Sequence, residues 1–179
     1  MTIYKQLLVL ASVAMIGLIS IVGLAVVKLE TVYDETNHAN ENAIPSILAL
    51  DEAVDHIATM RVVAYKYHVE ENPEQKRKNE ERLLKAEADL ENAFKTYDKL
   101  VSDDKDRAML KTDRDTAKAY ISLLKEIMDL SNKGEEAEAK ALLLAKHKET
   151  VSSLNDAIEA HLTFNAIHIG NTELCFVDR

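Results

Sequence analysis

Residues 7–27 read LLVLASVAMIGLISIVGLAVV, a run with no charge, no proline and nothing more polar than Ser12 and Ser20. As a helix rising about 1.5 Å per residue, about 20 apolar residues cross the roughly 30 Å hydrocarbon core of a bilayer. Lys5 precedes the run and Lys28 follows it. A secretory signal is the alternative, but its apolar core is about 7–15 residues long and ends at a small-residue cleavage site. Here the chain continues VVKLETVYDE, so the stretch reads as a retained membrane anchor. A buried core helix is disfavoured, because nothing else in the chain is apolar enough to surround it.

Working outward, residues 1–6 hold Lys5 and the amino terminus without an acid, whereas Lys28 is soon followed by Glu30, Asp34 and Glu35. Positive charge retained inside predicts a cytoplasmic N-terminus and sends the rest of the chain outside. The 179 residues suffice for one domain beside the anchor. Only 4 Gly and 2 Pro interrupt an Ala-, Leu-, Glu- and Lys-rich composition, which suits long helices and argues against a sheet. A net charge of −9 has the wrong sign for a nucleic-acid partner. The lone Cys175 cannot form an internal disulfide, which is compatible with an oxidising compartment.

Beyond Lys28 the sequence stays helix-compatible to about Asn72. Its least helical part is DETNHANENAIPS, and Pro45 predicts a kink or restart there. Next, Ile47, Leu50, Val54, Ile57, Arg61, Ala64 and His68 alternate at spacings of three and four, the seam of a helix packed along its length. Pro73 opens a second helix to about Val101, presenting Leu83, Leu90, Ala93, Phe94, Tyr97 and Leu100. Ser102 or Asp103 caps a third, about Asp104 to Asn132, with Leu110, Arg114, Ala117, Ile121, Leu124 and Met128 on its stripe. Gly134 ends it. A fourth, from near Glu135, carries Leu144, His147, Val151, Leu154, Ile158 and Leu162 before Gly170. Short turns make sequential helices antiparallel. The expected fold is therefore all-α: an up-down-up-down four-helix bundle preceded by one transmembrane helix.

Catalytic patterns are missing from the sequence. Two of the four glycines lie in the anchor, so there is no phosphate-cradling loop, and no HExxH, CxxCH or cysteine pair occurs. A di-iron carboxylate bundle needs ExxH on two helices, and only Glu35 to His38 matches. The expectation is a non-enzyme with no metal and no cofactor. A haem held by Met60 and His161 has no positive signal, and the histidines read as surface or packed polar residues.

The anomaly is arginine on the apolar stripes, Arg61 in the first bundle helix and Arg114 in the third. A guanidinium keeps its charge and is costly to bury unpaired, so each needs an acidic partner, a route to water, or a bound anion. Arg61 lies roughly 15 Å from the distal end of the bundle. At comparable depth come Tyr65, His68, Tyr120, Lys125, His147 and Thr150, while Arg114 lies roughly 13 Å nearer the membrane. A planar fork, a phenol and a hydroxyl form a grip suited to a small carboxylate.

A short basic N-terminus, an immediate membrane helix and the run NENAIPSILALDEAVDHIATMRVVAYKYHV together resemble the N-terminal half of bacterial methyl-accepting chemotaxis receptors with four-helix-bundle sensor domains. The stretch AYISLLKEIMDLSNKGEEAEAKALLL is similar to that family's third-to-fourth helix connection. The resemblance implies a periplasmic sensor domain over residues 28–170, tethered to the bacterial inner membrane by one span. It also implies a homodimer and a small organic acid or amino acid as ligand. Arg61 stands where the family's first-helix arginine grips the ligand carboxylate, and Thr150 is the nearest match to a completing fourth-helix hydroxyl. Residues 171–179 lack the return span such receptors carry, so a truncated product is expected. Chemotaxis kinase and adaptor are then partners only of a full-length receptor. The sensor of a histidine kinase or nucleotide cyclase would have the same domain, and a membrane-tethered structural or adaptor bundle without a ligand is the competing class.

Overall fold

The computed structural model describes residues 3–174, with side chains except at positions 7, 34–36, 38 and 168–174. Cys175, the rest of the C-terminal tail, and the Glu35 and His38 side chains lie outside that description. Residues 1–40 and 41–179 form separate compact units.

The first unit is dominated by α1, Ile3–His38. Within it, Ile3–Tyr33 contains an 18-residue apolar window of mean hydropathy 2.7, none of it buried by protein. A helix exposed and apolar all round is long enough to cross a bilayer and has no protein core to cover it. Ser12 and Ser20 donate their hydroxyls to the carbonyls of Leu8 and Ile16, so neither leaves a polar hydrogen bare on that surface.

The expected irregularity before Pro45 is a π-helical turn, Ala39–Ala43. Proline has no N–H to offer and its ring crowds the preceding turn, which widens the ladder ahead of it. Pro45 itself falls in the first turn of α2, Ile44–Val69, where a missing donor costs nothing. Three further helices follow: α3, Pro73–Asp98; α4, Asp104–Asn132; and α5, Glu136–Leu174.

Each turn has a local cause. The Asn72 side chain accepts the N–H groups of Glu74 and Gln75 at the start of α3, and Asp103 accepts that of Asp106 at the start of α4. Gly134 adopts φ +82° after α4, with its N–H on the Ser131 carbonyl and that of Glu135 on Leu130. α2 packs closely along α3 and α4 along α5, and α2 also meets α5. α3 and α4 touch far less than the sequential pairs on either side, leaving a groove of about 490 Å³ floored by Leu90, Phe94, Ala117 and Ile121.

The core corrects the expected stripes in one systematic way. α2 buries Leu50, Ala53, Ile57, Met60, Ala64 and Tyr67, while Val54 and Arg61 are exposed and His68 is half-buried. α4 buries Leu110, Asp113, Ala117, Tyr120, Leu124 and Ile127, with Arg114 and Ile121 only partly covered. α2 keeps every second expected position and exchanges the others for the preceding residue; α4 does so at Arg114 and Ile121, while the expected Met128 stays buried beside Ile127. Alternation of three and four is satisfied by either set, so spacing could not choose. Burying Met60 and Asp113 in place of Arg61 and Arg114 leaves both guanidiniums at the edge of the core. On α5, Leu144 is likewise exposed and Leu143 buried.

Candidate functional site

Arg61 lines a groove of about 340 Å³ between α2 and α5, with Val54, Ile57, Asn155, Glu159 and Leu162 among its walls. The guanidinium is exposed, and no carboxylate lies within ion-pair distance of it among the described residues. The groove thus combines a cationic fork, one carboxylate, one amide and an aliphatic wall.

One turn further along α2 stands Tyr65, 47% exposed, its ring edge-on to His147 of α5 at 5.1 Å between centroids. The Tyr65 hydroxyl is 3.5 Å from His147 Nδ1, and Tyr120 of α4 places its hydroxyl 3.1 Å from Nε2. His147 and Tyr120 are buried. Burial, and then the nearby Arg61 charge, hold the His147 imidazole below its ordinary range, so it is neutral at pH 7. Burial pushes the Tyr120 phenol far up, against a smaller opposing effect of Arg61, so it keeps its proton. With the imidazole proton on Nδ1, Tyr120 donates to Nε2 and the Tyr65 hydroxyl accepts from Nδ1, which leaves its own hydrogen free to donate. The cluster offers an incoming anion a positive fork and a neutral donor.

The seven candidate ligand-binding residues are distributed over several places. Arg61, Tyr65, Tyr120 and His147 come together. Thr150 follows His147 by three residues on α5, but its hydroxyl donates 2.9 Å to the Lys146 carbonyl. His68 belongs to another cluster at the α2–α3 turn end, where Nδ1 lies 3.7 Å from Glu136. That carboxylate also takes the Lys76 ammonium at 3.4 Å and the Ser131 hydroxyl at 2.7 Å. Arg114 lines the other groove, beside α3, and its need for an anion is met by Asp98 through two bonds of 2.9 and 2.7 Å. Lys125 is paired with Glu87 at 2.8 Å.

A second polar constellation was not anticipated. His161 places Nδ1 2.5 Å from Asp113 and Nε2 2.7 Å from Asp106, and all three side chains are fully buried. With a carboxylate on each ring nitrogen, His161 has no lone pair for iron, which removes the Met60 and His161 haem reading. Its signal was present in the sequence: Asp106 and Asp113 continue the spacing of Leu110, Ala117 and Leu124, just as His161 and Asn165 continue that of Leu154 and Ile158.

The profile of a family described as "four helix bundle sensory module for signal transduction" matches residues 1–168. The comparison with curated proteins finds no match.

Proposed function

The chain belongs to the family of four-helix-bundle sensory modules for signal transduction, and on that premise we propose that it senses a small carboxylate-bearing ligand, an organic acid or amino acid, in the α2–α5 groove. The observation that carries this reading is Arg61, an exposed guanidinium with no carboxylate in ion-pair range among the described residues, beside a walled groove. Its fork takes the ligand carboxylate through paired hydrogen bonds, and the Tyr65 hydroxyl adds a neutral donor. Glu159 and Asn155 in the same groove accept from an ammonium group, which favours an amino acid over a dicarboxylate.

In this reading α1 spans the bacterial inner membrane once, with Lys5 on the cytoplasmic side and the bundle in the periplasm. The bundle works as a homodimer. Support comes from the outer face of α2, where Ile44, Leu48, Asp51, Asp55, Ala58, Val62, Tyr65 and Val69 repeat at spacings of four and three. All but the half-buried Ala58 are exposed. A second copy laid along that seam buries its apolar members and sets Arg61 and Tyr65 beside the interface. In a full-length receptor the output passes to the chemotaxis kinase and adaptor.

The test is a thermal-shift screen of the full chain in lipid nanodiscs against organic and amino acids. A true ligand at 100 times its dissociation constant adds about 2.7 kcal/mol of stability. The Arg61→Ala variant should melt like the parent and lose that response. An unresponsive parent, or a variant that responds equally well, overturns the reading in favour of a structural or adaptor bundle.

A further inference from the structure

His161 sits at the end of the bundle where α3 turns into α4, locked between two carboxylates. Nε2 faces Asp106 Oδ1 at 2.7 Å and Nδ1 faces Asp113 Oδ2 at 2.5 Å; the Tyr97 oxygen is also 2.8 Å from Nε2, but its hydrogen goes to Asp106. A neutral imidazole has one N–H and cannot donate at both nitrogens. Asp106 is fully engaged: its oxygens also accept the Tyr97 hydroxyl at 2.7 Å, the Ser102 N–H at 2.7 Å and the Ser102 hydroxyl at 3.0 Å. A carboxylate holding that many donors is ionised. Asp113 keeps one buried oxygen without a donor among the described residues, and its other oxygen faces His161. The arrangement therefore holds an imidazolium between two anions, out of contact with water.

The groups facing it come from every neighbouring helix. α3 contributes Tyr97, whose phenol is pushed far up, by burial first and then by Asp106. α4 contributes Asp106 and Asp113. α5 adds Asn165, donating 2.7 Å to the Tyr97 oxygen. α2 contributes the buried Ser46 hydroxyl beside Tyr97 and, among the described residues, no titratable side chain in the cluster.

We propose that this triad is a proton-operated latch tying α5 to α4: closed while His161 is protonated, and released when it loses that proton as pH rises. Release is a simple acid–base step. The imidazolium gives one proton to water or hydroxide, and one of the two buried carboxylates loses its donor. Two anions and one neutral ring then remain in a dry core, where an uncompensated charge is strongly destabilising. The strain is relieved by letting water reach the α4–α5 seam. A sensory bundle built in this way takes a pH input at one end, independent of any ligand bound near Arg61.

The signs agree with the geometry. Burial opposes the His161 cation, but the bonds and charges of Asp113 and Asp106 outweigh it, and the imidazole is held above its ordinary 6.5. Burial likewise opposes the Asp106 anion, and its bonds from Ser102, His161 and Tyr97 outweigh that, holding it below 3.8. The His161 contribution is whole below pH 6.5 and is lost as pH rises through its raised folded value. That of Asp106 is whole above 3.8 and is lost as pH falls through its lowered one. His147, also buried on α5, is held in the opposite direction and serves as an internal reference.

The experiment is a pH titration of the full chain in nanodiscs with ¹⁵N-labelled histidine, together with hydrogen–deuterium exchange over α4 and α5. The His161 signals are assigned by their loss in His161→Gln. At pH 6.5 both ring nitrogens of His161 should be mostly protonated while His147 is mostly neutral. From 6.5 up to the His161 titration point, opening of residues 104–117 and 157–165 should rise about tenfold per pH unit after correction for intrinsic exchange. Asp113→Asn keeps the bundle folded and moves both transitions to lower pH, so the test survives if His161→Gln fails to fold. A His161 that titrates at or below the ordinary 6.5 of an imidazole, or that deprotonates without any change in protection, overturns the proposal.

Discussion

Arg61 and Arg114 hold equivalent places, one residue outside the buried seam of α2 and of α4, and differ only in what stands opposite. Arg114 meets Asp98 in a two-bond pair and lies 5.8 Å from the Phe94 ring centre. Asp98 is held below the ordinary carboxylate range by the Arg114 bond, against a smaller effect of burial. The two side chains are 31% and 47% exposed, so water screens them. Asp98→Asn should therefore cost no more than about 1 kcal/mol in a urea melt. A loss several times larger would mean that the pair holds α3 against α4 across their thin contact. At this scale the sequence showed that two charges sat near a core. It did not show which was already matched, because Asp98 lies on another helix, 16 residues away.

At the scale of the helices, local chemistry predicted the breaks well. Pro73, Asp103 and Gly134 mark the start of α3, the start of α4 and the end of α4 within a residue or so of where they fall. A cap or a left-handed turn depends on residues within a few positions, which a linear reading contains. Asn72→Ala removes the acceptor for two N–H groups and should lower stability by about 1 kcal/mol, within the usual 0.5–2. The check is thermal denaturation alongside Asn72→Asp, which restores a side-chain acceptor and should recover most of the loss. Equal stability of all three proteins would show that water caps α3 as well as Asn72 does. The stripes were less legible. Leu50, Ile57 and Ala64 were found, whereas Met60 and Tyr67 replaced Arg61 and His68. Tyr67 is settled by a partner distant in sequence, its hydroxyl donating 2.6 Å to Asn132 at the end of α4.

For the whole molecule, the proposed homodimer would make the outer face of α2 the sensitive surface. Leu48→Glu combined with Val62→Glu puts like charges into the seam, and light scattering of the full chain in detergent should register a monomer with unchanged helicity. A parent that is already monomeric, or a variant that stays paired, rejects that interface. The class of the protein, its membrane helix and its four-helix order were determined by the sequence alone, because apolar length, caps and turn residues act over a few neighbouring positions. Only the tertiary structure decided which of two interleaved sets of residues faces inward. That choice exposes Arg61, pairs Arg114 and buries His161 between two carboxylates, because it depends on how four helices share one core.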